Sequence, residues 1–224
     1  MARQIDVVKS VLANNDTVAA SNRQRFQAAG VLAVNLMASP GAGKTSFILA
    51  TIRELAGRAR VGVVEGDVAG SIDTETVLDG GAHDAVQINT GGGCHLEAGM
   101  IERALDDLDL DALDILFIEN VGNLICPTSW DLGEGYKVCL ASTPEGSDKP
   151  IKYPELFAAS DVVVLNKVDL LEHLDFDRAQ FDEALNALNS DVTVFDVSSR
   201  TGEGVEAWVN WLLERARDVP RPGF

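Results

Sequence analysis

The stretch NLMASPGAGKTSFILA, residues 35–50, limits the possible folds more than any other part of this chain. An apolar, β-branched run, VLAVNLM (31–37), leads into it, and an amphipathic helix pattern over 44–57 leaves it. Strand, glycine-rich turn and helix N-terminus in that order make an anion cradle. Backbone N–H groups crowd around phosphate oxygens, and the helix end adds partial positive charge. Within the cradle, Ser39, Gly41, Ala42, Gly43, Lys44, Thr45 and Ser46 are the candidate phosphate-binding residues. Lys44 reaches the outer phosphates, and the Thr45 hydroxyl suits Mg²⁺. The usual pattern G-x-x-x-x-G-K-[ST] has glycine where this chain has Ala38, and Pro40-Gly41 restores the turn.

A fold that uses such a loop needs more strands, and they recur. VGVVEG (61–66), AVQIN (85–89), DILFIEN (114–120), YKVCLAS (136–142), DVVVLNK (161–167) and DVTVFDVS (191–198) read as strands. Several are nearly continuous apolar runs, as strands covered on both faces are. Helical patterns fall between them at 96–107, 152–159, 177–189 and 204–217. The alternation predicts a three-layer α/β fold with a mostly parallel central sheet and helices on both faces. Residues 1–30 read as one or two helices ending at Gly30, an N-terminal helical appendage. Residues 31–218 form the nucleotide-binding domain and 219–224 a tail.

The base specificity is written in VVVLNKVDLL. A carboxylate at Asp169 accepts from both N1–H and N2–H₂ of guanine, whereas adenine offers no matching donor pair. Asn166 and Lys167 precede it, and the aliphatic stem of Lys167 can cover the base. DVSSRTGEG, after the last strand, closes the pocket, with the Ser199 backbone near the guanine carbonyl. DILFIENVGN supplies a buried strand ending in an acid, so Glu119 is a candidate to hold Mg²⁺ directly or through water. Asp67 follows the second strand as a switch or Mg²⁺ residue, with Asp73 a weaker choice. For both aspartates a turn or helix-cap role stays open. No residue is assigned as the catalytic base.

TGGGCHLEAG (90–99) sets Cys94 and His95 side by side after the third strand, and Cys126 follows the fourth in NLICPTSW. In a parallel sheet both loops reach the carboxyl edge, beside the phosphates. Two thiolates and an imidazole suit Zn²⁺ or Ni²⁺ and not Mg²⁺. Two readings stand side by side: small buried cysteines with a capping histidine, or a metal site completed by water or a second chain. Cys139 reads as core, and His83 and His173 as surface.

Net charge is −17, with 35 acidic against 18 basic residues, a balance that repels nucleic acid and anionic membrane surfaces. The acid-rich, lysine-poor composition also matches proteins of high-salt cytoplasm. No apolar window spans a bilayer, the start lacks a signal-peptide core, and three cysteines make no disulfide framework. A cytoplasmic location is the expectation.

Taken together, NLMASPGAGKTS, VVEGD, QINTGGGCHLEAGM, DILFIENVGNLICPTSWDLGE, EGSDKPIKYPELF and LNKVDLL resemble the HypB family, the nickel-incorporation GTPases of hydrogenase maturation in the SIMIBI class of P-loop GTPases. The resemblance runs from about residue 5 to about residue 215. It implies slow, switch-type GTP hydrolysis, a GTP-dependent homodimer, and a nickel or zinc site at Cys94, His95 and Cys126. It also implies a HypA-type partner and the large subunit of [NiFe] hydrogenase as client. Some members carry an N-terminal Cys-rich motif or a His-rich stretch. This sequence has neither, so the internal site would do the metal work. Two alternatives are a urease accessory GTPase, whose Cys-Pro-His motif differs from Cys126-Pro127-Thr128, and a non-hydrolytic guanine-nucleotide scaffold.

Overall fold

The computed structural model describes residues 7–67 and 72–221. In chain order the first half runs α1 (Val7–Ala29), β1 (Leu32–Ala38), α2 (Lys44–Leu55), β2 (Val61–Asp67), α3 (Ile72–Asp79), β3 (Asp84–Asn89), α4 (Ala98–Ala104) and β4 (Ile115–Glu119). The second half runs β5 (Tyr136–Ser142), α5 (Lys149–Lys152), α6 (Pro154–Ala159), β6 (Val162–Asn166), α7 (Arg178–Leu188), β7 (Thr193–Val197) and α8 (Val205–Asp218). The strands form one sheet in the order β3-β2-β4-β1-β5-β6-β7, and every pairing is parallel.

The period-two alternation of the strands sorts the core into two faces. Leu32, Val34 and Leu36 of β1 join Val63, Phe117, Val138 and Val164 beneath α2 and α8. There Trp208 is fully buried, stacks on Trp211 at 5.5 Å, and its indole N–H donates to Thr51 at 3.1 Å. On the opposite face Ala33, Val64, Leu116 and Ile118 pack with Phe26 of α1 and Ile101 of α4. Farther along that face, Met37, Cys139 and Leu165 pack with Leu156 of α6 and Phe181 of α7. Helices on both faces explain why β1, β4 and β6 are buried at every position.

The first helix is a single element rather than two. Polar anchors on its inner face hold it to the sheet layer. Asn22 donates to the Ala98 and Leu132 carbonyls at 2.9 and 3.1 Å, and Asn15 accepts from the Ala98 N–H at 2.8 Å. Gly133 makes the close approach possible, because a Cβ there would sit 2.6 Å from the Ala19 carbonyl oxygen. Its φ of +94° favours glycine as well.

Two differences from the sequence-based expectation have simple causes. The helix expected over 152–159 is broken into α5 and α6 at Tyr153. Pro154 opens α6, and the residue before a proline is driven out of the helical region, here to φ −129° and ψ 54°. The helix α3 was not foreseen: it is eight residues long, and among its described side chains Val77 is the one in the buried core. The side chain of Asp73 and residues 222–224 lie outside the described residues. No helix among the described residues is long and apolar enough to cross a membrane.

Candidate functional site

The parallel sheet brings the ends of β1, β2, β3, β4 and β6 to one edge. Two chemically different groups of side chains meet there.

The first group surrounds the glycine-rich turn. Gly41 and Gly43 take φ of +79° and +99°, and Gly43 caps the N-terminus of α2. A Cβ on Gly43 would lie 2.9 Å from Asn166 Nδ2. Asn166 is 1% exposed and donates to the Ala42 carbonyl at 3.1 Å. Lys167 donates to the Gly41 carbonyl at 2.6 Å. Lys167 holds φ +62°, a left-handed conformation that costs energy for a side chain with a Cβ. These contacts lock the N-K-x-D turn against the phosphate loop. Asp169 Oδ1 accepts from Ser198 Oγ at 2.5 Å and Oδ2 from Arg200 at 2.7 Å. The Ser198 hydroxyl first, and the Arg200 guanidinium next, hold the Asp169 carboxyl below the usual carboxylate range. A cleft of about 550 Å³ opens between these residues, lined by Gly43, Ser46, Asn166, Lys167, Asp169 and Arg200. Ser199, expected near a base carbonyl, lines the same cleft, and its N–H donates to Asn166 Oδ1 at 3.1 Å.

Acids flank the same loop. Thr45 Oγ1 lies 3.3 Å from Glu119 Oε1, and Glu119 is 7% exposed at the end of β4. That pair of hard oxygens beside the phosphate loop suits a hydrated Mg²⁺. Asp67 ends β2, and its carbonyl accepts from the Thr90 N–H at 3.0 Å. Sequence reasoning did not find Glu145, which accepts from the Ser39 hydroxyl and forms a capping box with Ser142. The residues EGSDKP that contain it carry no general signal of such a contact.

The second group is the Cys-His-Cys cluster. Thr90 Oγ1 donates to the Gly93 carbonyl at 2.8 Å and closes a turn in which Gly91 and Gly92 have positive φ. The turn aims Cys94 and His95 at Cys126, which opens a short 3₁₀ turn, Cys126–Ser129. Candidate ligand atoms of Cys94, His95 and Cys126 all lie within 4.8 Å of one another. Cys94 Sγ is 3.5 Å from His95 Nδ1. The His95 ring stacks on Trp130, with centroids 4.4 Å apart and planes at 25°. Its Nε2 is buried without a hydrogen bond, with the Glu97 carboxylate 3.8 Å away. Burial lowers the His95 pKa and favours the neutral, ligating imidazole, and Glu97 opposes this weakly. The neighbouring Cys126, and then burial, raise the Cys94 thiol above its ordinary value. The first of these causes is a hydrogen bond with Cys126 that keeps the proton on the Cys94 thiol, and a bound dication would have to displace that proton.

Trp130 went unforeseen, although it lies only four residues beyond Cys126. Cys139 is fully buried in the sheet with its thiol pushed up by desolvation, and His83 and His173 are exposed.

Comparison with known proteins fits this geometry. Residues 32–196 match the family model described as "CobW/HypB/UreG, nucleotide-binding domain". The hydrogenase maturation factor HypB of Rhizobium leguminosarum bv. viciae is 49% identical over 210 residues, covering 94% of this chain and 70% of that protein. HypB of Escherichia coli K12 is 45% identical over 210 residues, 94% of this chain and 72% of its own length. The crystal structure of HypB from Helicobacter pylori in complex with nickel superposes with a TM-score of 0.88 at 38% identity. It covers 94% of this chain and all of that one. The chain therefore belongs to the HypB family of hydrogenase maturation factors, within the CobW/HypB/UreG class of nucleotide-binding domains.

Proposed function

We propose that this chain is a GTP-hydrolysing metallochaperone that carries nickel for [NiFe] hydrogenase maturation. The observation that carries the reading is the convergence of Cys94, His95 and Cys126 at the sheet edge that also bears the phosphate loop. The solved relative from Helicobacter pylori, described as a nickel complex, supports nickel as the cargo. Two thiolates and an imidazole leave a four-coordinate metal open on one side, as a carrier that must release its cargo needs.

In this reading Ser39, Gly41, Ala42, Gly43, Lys44 and Ser46 wrap the phosphates, and Lys44 offsets their charge. Thr45, Glu119 and Asp67 hold Mg²⁺ directly or through water. Asn166, Lys167 and Asp169 select guanine. Hydrolysis transfers the γ-phosphoryl group to water, breaking its bond to the β-phosphate and leaving GDP and phosphate. None of the described side chains is assigned as the base, which fits slow turnover. Residues 31–218 are the GTPase unit, with α1 before them. The working form is a GTP-dependent homodimer that meets a HypA-type partner and the hydrogenase large subunit in the cytoplasm.

Single-turnover hydrolysis and metal retention test this directly. With Mg²⁺ present, the chain releases phosphate from GTP, and Lys44→Ala slows release at least a hundredfold. After incubation with nickel and gel filtration, wild type retains metal and Cys94→Ala does not. No phosphate release from wild type would leave a non-hydrolytic scaffold, and equal metal in both proteins would end the carrier reading.

A further inference from the structure

The two peptide groups that flank His95 are both held from one segment. The Leu96 N–H donates to Asn120 Oδ1, and Asn123 Nδ2 donates to the Cys94 carbonyl, each at 3.2 Å. The segment begins at Glu119, which touches Thr45 of the phosphate loop, and ends at Cys126, the third member of the cluster. Between them Gly122 lies against Pro40, where a Cβ would come within 3.1 Å of the proline ring and nitrogen. Eight consecutive residues thus touch the phosphate loop at two points and the His95 loop at two points.

The two asparagines differ in how firmly they are held. Asn120 is fully buried, and its Nδ2 donates to Asn35 Oδ1 at 3.2 Å. Asn35 in turn donates to Glu134 Oε1 at 3.1 Å, so the sheet interior fixes this anchor. Asn123 is half-buried on the loop, and its Oδ1 accepts from the Ile125 N–H at 2.9 Å, turning the chain toward Cys126. One clamp point is rigid and the other can move with the loop.

We propose that Asn120 and Asn123 are positioning residues that transmit the state of the phosphate loop to the Cys94–His95–Cys126 cluster. The proposal rests on the reading of that cluster as a metal site. A displacement of Glu119 or Pro40 by nucleotide phosphates and Mg²⁺ shifts the segment they share with Cys126. Through Asn123 it shifts the Cys94 peptide as well, so ligand spacing follows the nucleotide. Such a link is a coupling free energy, and it shows as a ratio of metal affinities in two nucleotide states.

The test titrates the full chain with Ni²⁺ and with Zn²⁺ against a competing chelator. Each titration is done with Mg²⁺ and either GDP or a non-hydrolysable GTP analogue. Asn123 is the residue to change, because truncating buried Asn120 strands the Leu96 and Asn35 groups and unsettles the fold. Asn123→Ala removes both of its bonds, and Asn123→Asp keeps the acceptor for Ile125 but loses the donor to Cys94. In wild type the metal Kd differs at least about fivefold between the two nucleotides. In both variants the ratio falls to within twofold of one, while GDP affinity and Tm stay near wild type. A ratio in either variant equal to that of wild type overturns the proposal. So does a wild-type ratio of one for metal that Cys94→Ala removes, although the site itself would then stand. Metal bound equally by Cys94→Ala brings down the site and the proposal together.

Discussion

The N-K-x-D side, proposed to take guanine, and the cysteine side of the same sheet edge are built on opposite plans. On the guanine side, Asn166 and Lys167 reach across more than a hundred positions to the carbonyls of Ala42 and Gly41. Asp169 is held at both oxygens, by Ser198 and by Arg200. A strained left-handed Lys167 persists because its neighbours over-determine it. On the cysteine side, Gly91 and Gly92 stand in open space, and a Cβ on either would meet nothing within 4 Å. Cys94 is exposed, and its backbone is held by the half-buried loop residue Asn123. The difference separates preorganisation from compliance. A base pocket gains affinity and specificity from rigid acceptors, whereas a metal site that must load and unload gains from a loop that can move.

The comparison breaks most sharply at Asp169. In the proposed function, Asp169→Ala removes both acceptors for the guanine edge and leaves the base N–H groups unmet. Affinity for GDP should fall at least about a hundredfold, and discrimination against ADP should vanish. Nickel affinity in the absence of nucleotide should change less than twofold. Calorimetric titration of GDP, ADP and nickel into wild type and variant reads all three. A loss on the metal side as large as that on the base side would mean the two halves are one rigid unit.

The next effect is a difference in pH response. Ser198 and Arg200 hold the Asp169 carboxyl low, so it stays ionised from pH 6 to pH 8 and GDP affinity is flat there. Cys94 behaves in the opposite way. Its thiol is raised above the ordinary value, so it is protonated through this range and must lose that proton to bind metal. Apparent metal affinity should therefore rise about tenfold per pH unit from this group alone. His95, lowered by burial, is neutral in the upper part of the range and adds no further slope there. Parallel titrations of GDP and nickel at three pH values check this. A flat metal profile would show that Cys94 is not a ligand.

How much of each half was legible in the sequence follows from the same contrast. The phosphate loop and the N-K-x-D turn are local signals, because glycine conformation, a lysine and a carboxylate at fixed spacing are what the chemistry needs. Cys94, His95 and Cys126 were legible through the inference that parallel strands end at one edge, joined to the family resemblance. The partners that orient them were not. Asn120 meets Leu96 and Asn35 because β4 lies between β2 and β1, and Asn35 meets Glu134 because β5 lies on the other side of β1. Strand order is a property of the whole sheet, and nothing local in ENVGN announces it. The Glu145 contact with Ser39 was hidden for the same reason, since it requires β5 to lie beside β1. The alternation of strands and helices was plain, yet α3 escaped because a helix of eight residues leaves little periodicity.

The smallest effect sharpens the comparison from the cysteine side. Trp130 covers one face of His95 at 4.4 Å and 25°, and among the described residues this is the aromatic ring stacked on the cluster. The stack limits the rotation of the imidazole and shields it from water, which also favours its neutral form. Trp130→Leu keeps an apolar cover but loses the flat partner. An aromatic contact of this kind is worth about 0.5–1.5 kcal/mol beyond its buried area, which corresponds to a roughly two- to tenfold loss of metal affinity. Trp130→Phe should recover most of that loss. GDP affinity and Tm should stay close to wild type in both, because the ring packs on a loop rather than on the sheet core. Nickel titrations of the three proteins at one pH measure the effect. If Trp130→Leu binds nickel as tightly as wild type, the imidazole is held by its backbone alone. The compliance of this half would then end at the Asn120 and Asn123 contacts rather than at the ring.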